Sequence, residues 1–231
     1  MAVRLTAGGA VLSSASNAFA ISATSPLTFM SWIYANDSTV WANRTSMVGV
    51  YGPGAAPSTA IQVGSIANGS VGAWTWGGAT LVSTTGHSPV GQWNHYTVVY
   101  DAGIFTFYIN AVLISSQAAT QLTGNLTQTF INGFPTGGTS ESGNFCTDDT
   151  ILFNRALTLN EIKTIYSLEG PRDGIYQNVI ARYTFDEGVI GSNVQTGWDI
   201  SATRAHMTPS VGTLPTYFSP RAMCNVRRVQ G

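Results

Sequence analysis

Three groups of side chains in this sequence bear on chemistry: acidic pairs, aromatic pairs and a basic tail. Asp148-Asp149 and Asp186-Glu187 are adjacent acidic residues, and Asp199 stands apart from them. Cleaving a glycosidic bond with retention needs an acid and a nucleophile about 5 Å apart, which alternate positions on one strand provide. Adjacent residues on a strand point to opposite faces, so neither pair has that arrangement. His87, His95 and His206 are too scattered to compose a zinc site. No G-x-S-x-G turn presents a nucleophilic serine. The set of expected catalytic residues is therefore empty.

The binding chemistries are different. Trp74 and Trp76 alternate, so on a strand they share a face, and Tyr51 is expected nearby. A flat aromatic pair can stack on a sugar ring. The same pair can instead fill a core, since Trp is highly buried on average. Arg221, Arg227 and Arg228 lie in a tail, residues 219–231, where guanidinium groups can grip a partner through paired hydrogen bonds. A solvated tail is the plainer reading. Cys146 and Cys224 have no metal-type spacing; they either bridge or remain two buried thiols, and the second is expected.

Short strands must position these groups. Residues 91–116 read as a three-stranded meander: 96–100, a turn at Asp101-Ala102-Gly103, 104–109, a turn at Asn110-Ala111, then 112–116. Strands are also expected at 2–5, 10–12, 27–34, 45–51, 59–63, 72–76, 79–83, 128–132, 150–153 and 178–185, most set off by Gly, Pro, Asn or Ser. One helix is expected, over 159–168. Thr158 and Glu161 form a capping box, Leu157 and Ile162 a hydrophobic staple, and Leu159, Ile162, Ile165, Tyr166 and Leu168 an apolar face, before Gly170 and Pro171 end it.

Composition narrows the class. Of 231 residues, 44% are hydrophobic and 11% aromatic, which excludes a disordered chain. Charged residues are only 9%, against about 25% in an average globular protein. A net charge of -1 sets up no field for nucleic acid or anionic lipid. No apolar run is long enough for a helix to span a bilayer. The first 20 residues imitate a secretory signal, ending Ala18-Phe19-Ala20, but Thr6, Gly8, Gly9, Ser13 and Ser14 break the apolar stretch. They read instead as strand and turn, and synthesis without secretion is expected.

Phe29-Met30-Ser31-Trp32-Ile33, Gly91-Gln92-Trp93-Asn94-His95, Phe107-Tyr108-Ile109-Asn110 and the run from Asp148 to Leu157 occur in that order, closed by Glu161-Ile162 and Tyr166. Together they resemble the laminin-G-like jelly rolls of the concanavalin A-like lectin/glucanase group, over about residues 25 to 168. The resemblance implies an all-β fold, a two-sheet antiparallel jelly-roll sandwich with one short helix, occupying 1–231 as a single domain. Tyr183 to Gly188, Asp199-Ile200-Ser201 and His206 resemble the segment that usually opens such a domain. Their place after the helix implies a circularly permuted jelly roll, an arrangement similar to laminin-G-like structural proteins of tailed phages.

The resemblance also bears on sites. Glucanases of the group carry an E-x-D-x-x-E strand, which this chain lacks. His95 falls in the family's Trp-x-His pattern, where a packing role is expected. Calcium is the metal that the resemblance implies, with Asp148, Asp186 and Asp199 at the family's acidic positions, although Ala205 replaces a usual polar residue. Capping of turns is the competing role for these aspartates. The expected function is a non-catalytic binding protein on a tailed-phage virion, as capsid decoration or appendage. Its partners would be other virion subunits and host-surface polysaccharide, and it would form a homo-oligomer. The alternatives are a free, extracellular lectin module, calcium-dependent or not, and a glycoside hydrolase.

Overall fold

Two antiparallel sheets face each other across an apolar core, each strand alternating between that core and an outer surface. The computed structural model describes residues 2–5, 8–22, 24–42, 44–52, 60–66, 69–75, 80–82, 86–118, 124–134, 141–167, 175–185, 193, 196, 200–201, 203–204, 206–209 and 214–218. The first half of the chain runs β1 (Ala2–Arg4), β2 (Leu12–Ser14), β3 (Ile21–Ser22), β4 (Leu27–Ala35), α1 (Thr39–Ala42), β5 (Arg44–Tyr51), β6 (Ala60–Ile66), β7 (Val71–Thr75) and β8 (Thr80–Val82). The second half runs β9 (Trp93–Asp101), β10 (Ile104–Ile109), β11 (Val112–Ala118), β12 (Asn125–Leu126), β13 (Gln128–Ile131), β14 (Phe145–Phe153), α2 (Leu159–Ser167), β15 (Val179–Tyr183), β16 (Met207–Pro209) and β17 (Thr216–Phe218).

One sheet is ordered β11-β10-β9-β4-β14-β1-β17, with β15 also paired to β14. The other is ordered β16-β2-β13-β5-β6-β7-β8, and β3 pairs with β12 in a short ribbon. The meander expected at 91–116 is β9-β10-β11. Its turns, Ala102-Gly103 and Asn110-Ala111, all have positive φ (48°, 78°, 52° and 60°), the primed geometry that matches strand twist. β4 is central, between β9 and β14, which suits its nearly unbroken apolar sequence. The core joins Phe29, Ile33, Val98 and Phe107 of the first sheet to Val48, Val50, Ile61, Val63 and Ile131 of the second.

The helix forms as the sequence implies over Leu159–Ser167, and Leu168, the last residue of the expected span, lies outside the described residues. The Thr158 amide donates to Glu161 Oε2 at 2.8 Å, and the Glu161 amide to Thr158 Oγ1 at 3.3 Å. Arg155 Nη1 adds an ion pair to Glu161 Oε1 at 2.7 Å. Leu157, Ile162 and Ile165 pack on Met30, Val99, Ile151 and Phe153, the outer face of the β4 sheet. Leu159, expected on the apolar face, is 39% exposed, whereas Ile162 on the same face is fully buried.

Several local features differ from the expected pattern, among them these. α1 is an additional short helix, started by Asp37, whose Oδ1 accepts from the Thr39 amide at 2.9 Å. β2 begins two residues later than read, at Leu12. β14 extends back to Phe145 and carries a bulge: its register with β4 shifts between Asp148 and Ile151, and Asp149 has φ 41°. The simple two-face rule therefore does not govern Asp148 and Asp149. Among the described residues no helix is long and apolar enough to cross a membrane.

Candidate functional site

The outer face of the seven-stranded sheet carries Trp74 and Tyr51, two of the three aromatic residues singled out by sequence. Inward positions of its central strands, Val48, Val50, Ile61, Val63, Val71 and Ala73, belong to the core. The alternate positions therefore point away from it. Cross-strand pairing sets Phe130 beside Gly49, Gly49 beside Gln62, and Gln62 beside Trp74, one row across four strands. Gly49 is required for close approach. A Cβ there would stand 2.5 Å from Phe130 Cζ and 2.6 Å from the Ile61 carbonyl oxygen, so the Phe130 ring lies across the glycine.

The chain beyond β13 builds on this row. Asn132 and Gly133 have φ 67° and 118°, turning the backbone so that Phe134 meets Phe130 at 5.4 Å and Tyr51 at 4.8 Å between ring centroids. Asn132 holds the turn: its amide N–H donates to the Met47 carbonyl at 2.8 Å, and its Oδ1 accepts from the Gly143 amide at 2.8 Å. At the other end, Glu141 is fixed by the Ser46 amide, which donates to its carbonyl at 2.9 Å, and by the Ser46 hydroxyl, which donates to its carboxylate. Arg44 Nε lies 3.6 Å from Glu141 Oε1, and its guanidinium carbon 5.5 Å from the centre of the Trp74 ring. The opposite charges of Arg44 and Glu141 balance beside the row.

Burial and hydrogen bonding single out two members of the row. Gln62 is 0% exposed, and neither Nε2 nor Oε1 has a hydrogen-bond partner. Trp74 is 5% exposed, and its Nε1 also lacks one. Buried polar groups are nearly always hydrogen-bonded, so two such side chains paired across neighbouring strands are unusual. The row thus buries two donors and one acceptor, and its Phe130 ring is itself 0% exposed. Tyr51 is partly exposed at its margin. Trp76 lies outside the described residues.

The other sequence-derived candidates fall elsewhere. Asp148 is on the outer face of the opposite sheet, paired with Trp32 and 1% exposed, and one of its carboxylate oxygens accepts from the Asp149 amide at 2.9 Å. Asp186 and Asp199 lie outside the described residues, as do Arg221, Arg227, Arg228 and Cys224. Among the described residues no three carboxylate, imidazole or thiol groups gather as metal ligands. Cys146 is buried, and its thiol donates to Asn36 Oδ1 at 3.3 Å. His95 is 1% exposed and packs against Trp32 and Tyr166, with ring centroids 5.0 Å and 6.0 Å away, the packing role expected of it.

Gln62, Arg44 and Phe134 were not among the sequence candidates. A signal for Gln62 existed in the alternation Ile61-Gln62-Val63, which marks an outward polar position. A signal for Phe130 lay in Gly49, a glycine inside an apolar strand. Nothing in the local sequence shows that Gln62 is covered.

The sequence matches the family described as the concanavalin A-like lectin/glucanases superfamily over residues 6–163, and the chain belongs to that superfamily. Comparison with curated protein sequences finds no match. Among solved structures, a candidate carbohydrate binding protein of Bacteroides ovatus is similar at 14% identity and TM-score 0.66, over 94% of this chain and 60% of that one. The native heptameric SAP-like pentraxin of Limulus polyphemus is similar at 13% identity and TM-score 0.60, over 97% of both chains. The binding domain of Paraclostridial Mosquitocidal Protein 1 aligns at 15% identity and TM-score 0.53, over 72% of this chain and 43% of that one. This chain therefore spans only part of two of these three proteins, and at such identities the likeness is one of fold.

Proposed function

We propose that this protein is a non-catalytic binding module that takes carbohydrate on the outer face of its seven-stranded sheet. We place it on the surface of a tailed-phage virion, as a capsid decoration or appendage subunit made without secretion. The observation that carries the binding reading is the partly exposed Tyr51–Phe134 aromatic pair at the margin of the buried Phe130–Gly49–Gln62–Trp74 row. The similar Bacteroides protein, described as carbohydrate-binding, supports the same reading. The virion placement draws on the order of the sequence motifs and on a composition with few charges. A permuted jelly roll is supported by β1 and β15 lying end to end on one edge of β14, at Cys146–Thr147 and Thr150–Phe153 respectively. Other virion subunits are the proposed protein partners, with the 219–231 tail and its Arg221, Arg227 and Arg228 as one point of attachment. A homo-oligomer fits that repeated setting, and the similar Limulus pentraxin is heptameric.

The test is a titration of purified protein against bacterial-surface polysaccharides, once with calcium and once with EDTA. Saturable binding in both conditions is the expected result. Binding lost in EDTA would move the site to Asp148, Asp186 and Asp199 and make the protein a calcium lectin. Release of reducing ends would overturn the non-catalytic reading. Immunogold labelling of assembled particles checks the virion placement, and unlabelled particles would overturn it.

A further inference from the structure

β11 stands at one end of the first sheet: it pairs with β10, and no described strand pairs along its other side. A strand so placed turns a row of backbone N–H and C=O groups outward, a template for another strand. Val112, Leu113, Ser116, Gln117 and Ala118 are all exposed. Sheet edges that face water are usually guarded by charge, above all Lys, or by Pro. β11 has neither, and no Asp, Glu, Lys or Arg occurs anywhere in residues 102–140. A bulge guards one end, where the register with β10 shifts between Phe107 and Tyr108, but residues 115–118 beyond it pair regularly. The unguarded edge is also apolar. Ile104 is 41% exposed, Val112 63% and Leu113 54%, three of the six exposed large hydrophobic side chains among the described residues. Phe105, Phe107 and Ile109 of β10 point into the core, so Ile104, Thr106 and Tyr108, with their partners Ala118, Ser116 and Leu113 on β11, share the outer face.

We infer that β11 is a self-association edge: a second copy of this chain lays its own β11 alongside, antiparallel, about a two-fold axis. The first sheets of the two copies then become one continuous sheet. The absence of charge selects this occupant. In a two-fold pairing each copy meets its own residues, so a charged group near the axis would oppose a like charge. An uncharged edge is therefore self-complementary, whereas a charged partner finds no complement along residues 102–140. Alternate residues of the two strands exchange backbone hydrogen bonds. On the outer face the pairing brings Leu113 of one copy toward Ala118 and Ile104 of the other, which covers apolar surface that a lone chain leaves in water. The inference rests on the homo-oligomer proposed above, to which it gives a surface and a symmetry, and it is independent of carbohydrate binding.

Sedimentation equilibrium of the full chain over the micromolar range tests this, and a dimer is expected. Ser116 is exposed, so Ser116→Lys and Ser116→Glu should each fold, with unchanged far-ultraviolet circular dichroism. Each should weaken the dimer about tenfold or more, since like charges then meet across the axis. An equimolar mixture of the two variants should dimerise again, because the two copies of residue 116 then carry opposite charges. Hydrogen exchange on the unaltered protein needs no variant: β11 amides should exchange more slowly at high than at low protein concentration. If both variants dimerise normally and β11 exchange does not depend on concentration, the homo-oligomer stands and the role of β11 falls. If the variants are monomeric and their mixture stays so, the two-fold arrangement falls. An odd-numbered oligomer, in which the β11 strands cannot all pair two by two, overturns it as well. If the unaltered protein is monomeric throughout, the homo-oligomer and this inference fall together. Should a variant not fold, the exchange measurement decides.

Discussion

At Thr28 one buried hydroxyl serves two points of the segment leading into α2. Its Oγ1 donates to the Arg155 carbonyl and accepts from the Leu157 amide, each at 2.9 Å. Thr28→Val keeps the shape and strands both backbone groups, so it is expected to cost about 2 kcal/mol, read by urea denaturation. His87 gives a second prediction at this scale. Its Nε2 lies 3.4 Å from the hydroxyl of the fully buried Tyr96, and burial holds the imidazole below its ordinary value of 6.5. The folded state therefore favours the neutral ring, while the unfolded chain takes up a proton more readily. The stability that follows is complete above about pH 6.5 and is lost as pH falls through the lower, folded value. Melting midpoints measured from pH 8 to pH 5 should decline at the acid end, and His87→Gln should flatten that decline. Residues of this sort were only half legible in the sequence. His95 could be assigned to packing from its pattern, but the pairing of His87 with Tyr96 depends on a loop returning to the sheet.

The elements were legible where local chemistry alone decides them. The capping box of α2 is local, and so are the turns of the β9-β10-β11 meander. Thr158→Ala should remove the cap and cost about 1 kcal/mol, while Thr158→Ser should restore most of it; thermal unfolding of the two variants checks this. The β9–β10 turn permits a change in the other direction. Ala102 is exposed with φ 48° and precedes Gly103. Ala102→Asn creates the Asn-Gly pair that primed turns favour and should stabilise the fold by about 0.5–1 kcal/mol, seen as a raised denaturant midpoint. Where the sequence reading missed, the cause was distance or brevity. α1 has four residues, too few for a helical period to show. The bulge at Asp149 depends on how β14 meets β4. Leu159 follows the helical period, yet its side chain is 39% exposed, which the period alone does not show.

For the whole molecule, fold class was readable because many short apolar runs divided by turn residues have few other solutions than a sandwich. Which strands become neighbours was not readable, because the pairings that close the sheets join distant parts of the chain. Val3 pairs with Thr147, and Thr208 with Ser13. The candidate site has the same character. Trp74 and Tyr51 were found as residue types, whereas the row containing them needs β13, β5, β6 and β7 in register. Such pairings close large loops before they gain contacts, so refolding is expected in milliseconds to seconds, not microseconds. Stopped-flow tryptophan fluorescence gives the rate. A single-domain jelly roll should also lose far-ultraviolet circular dichroism and tryptophan signal in one coincident transition. Two separated transitions would show that residues 1–231 fold as more than one unit.

The Val3–Thr147 pairing also sets a timetable. A ribosome releases β1 first, and the strand beside which β1 belongs emerges only after the intervening residues are joined. At about 5–20 residues per second that delay is roughly seven to thirty seconds. Throughout it Ala2, Val3 and Leu5, all 0% exposed in the finished fold, wait without their partner strand, while β4 and later β9 emerge and become able to pair. The nascent chain therefore holds β1 unpaired until β14 has been made, and the seam between them is among the last parts of the first sheet to close.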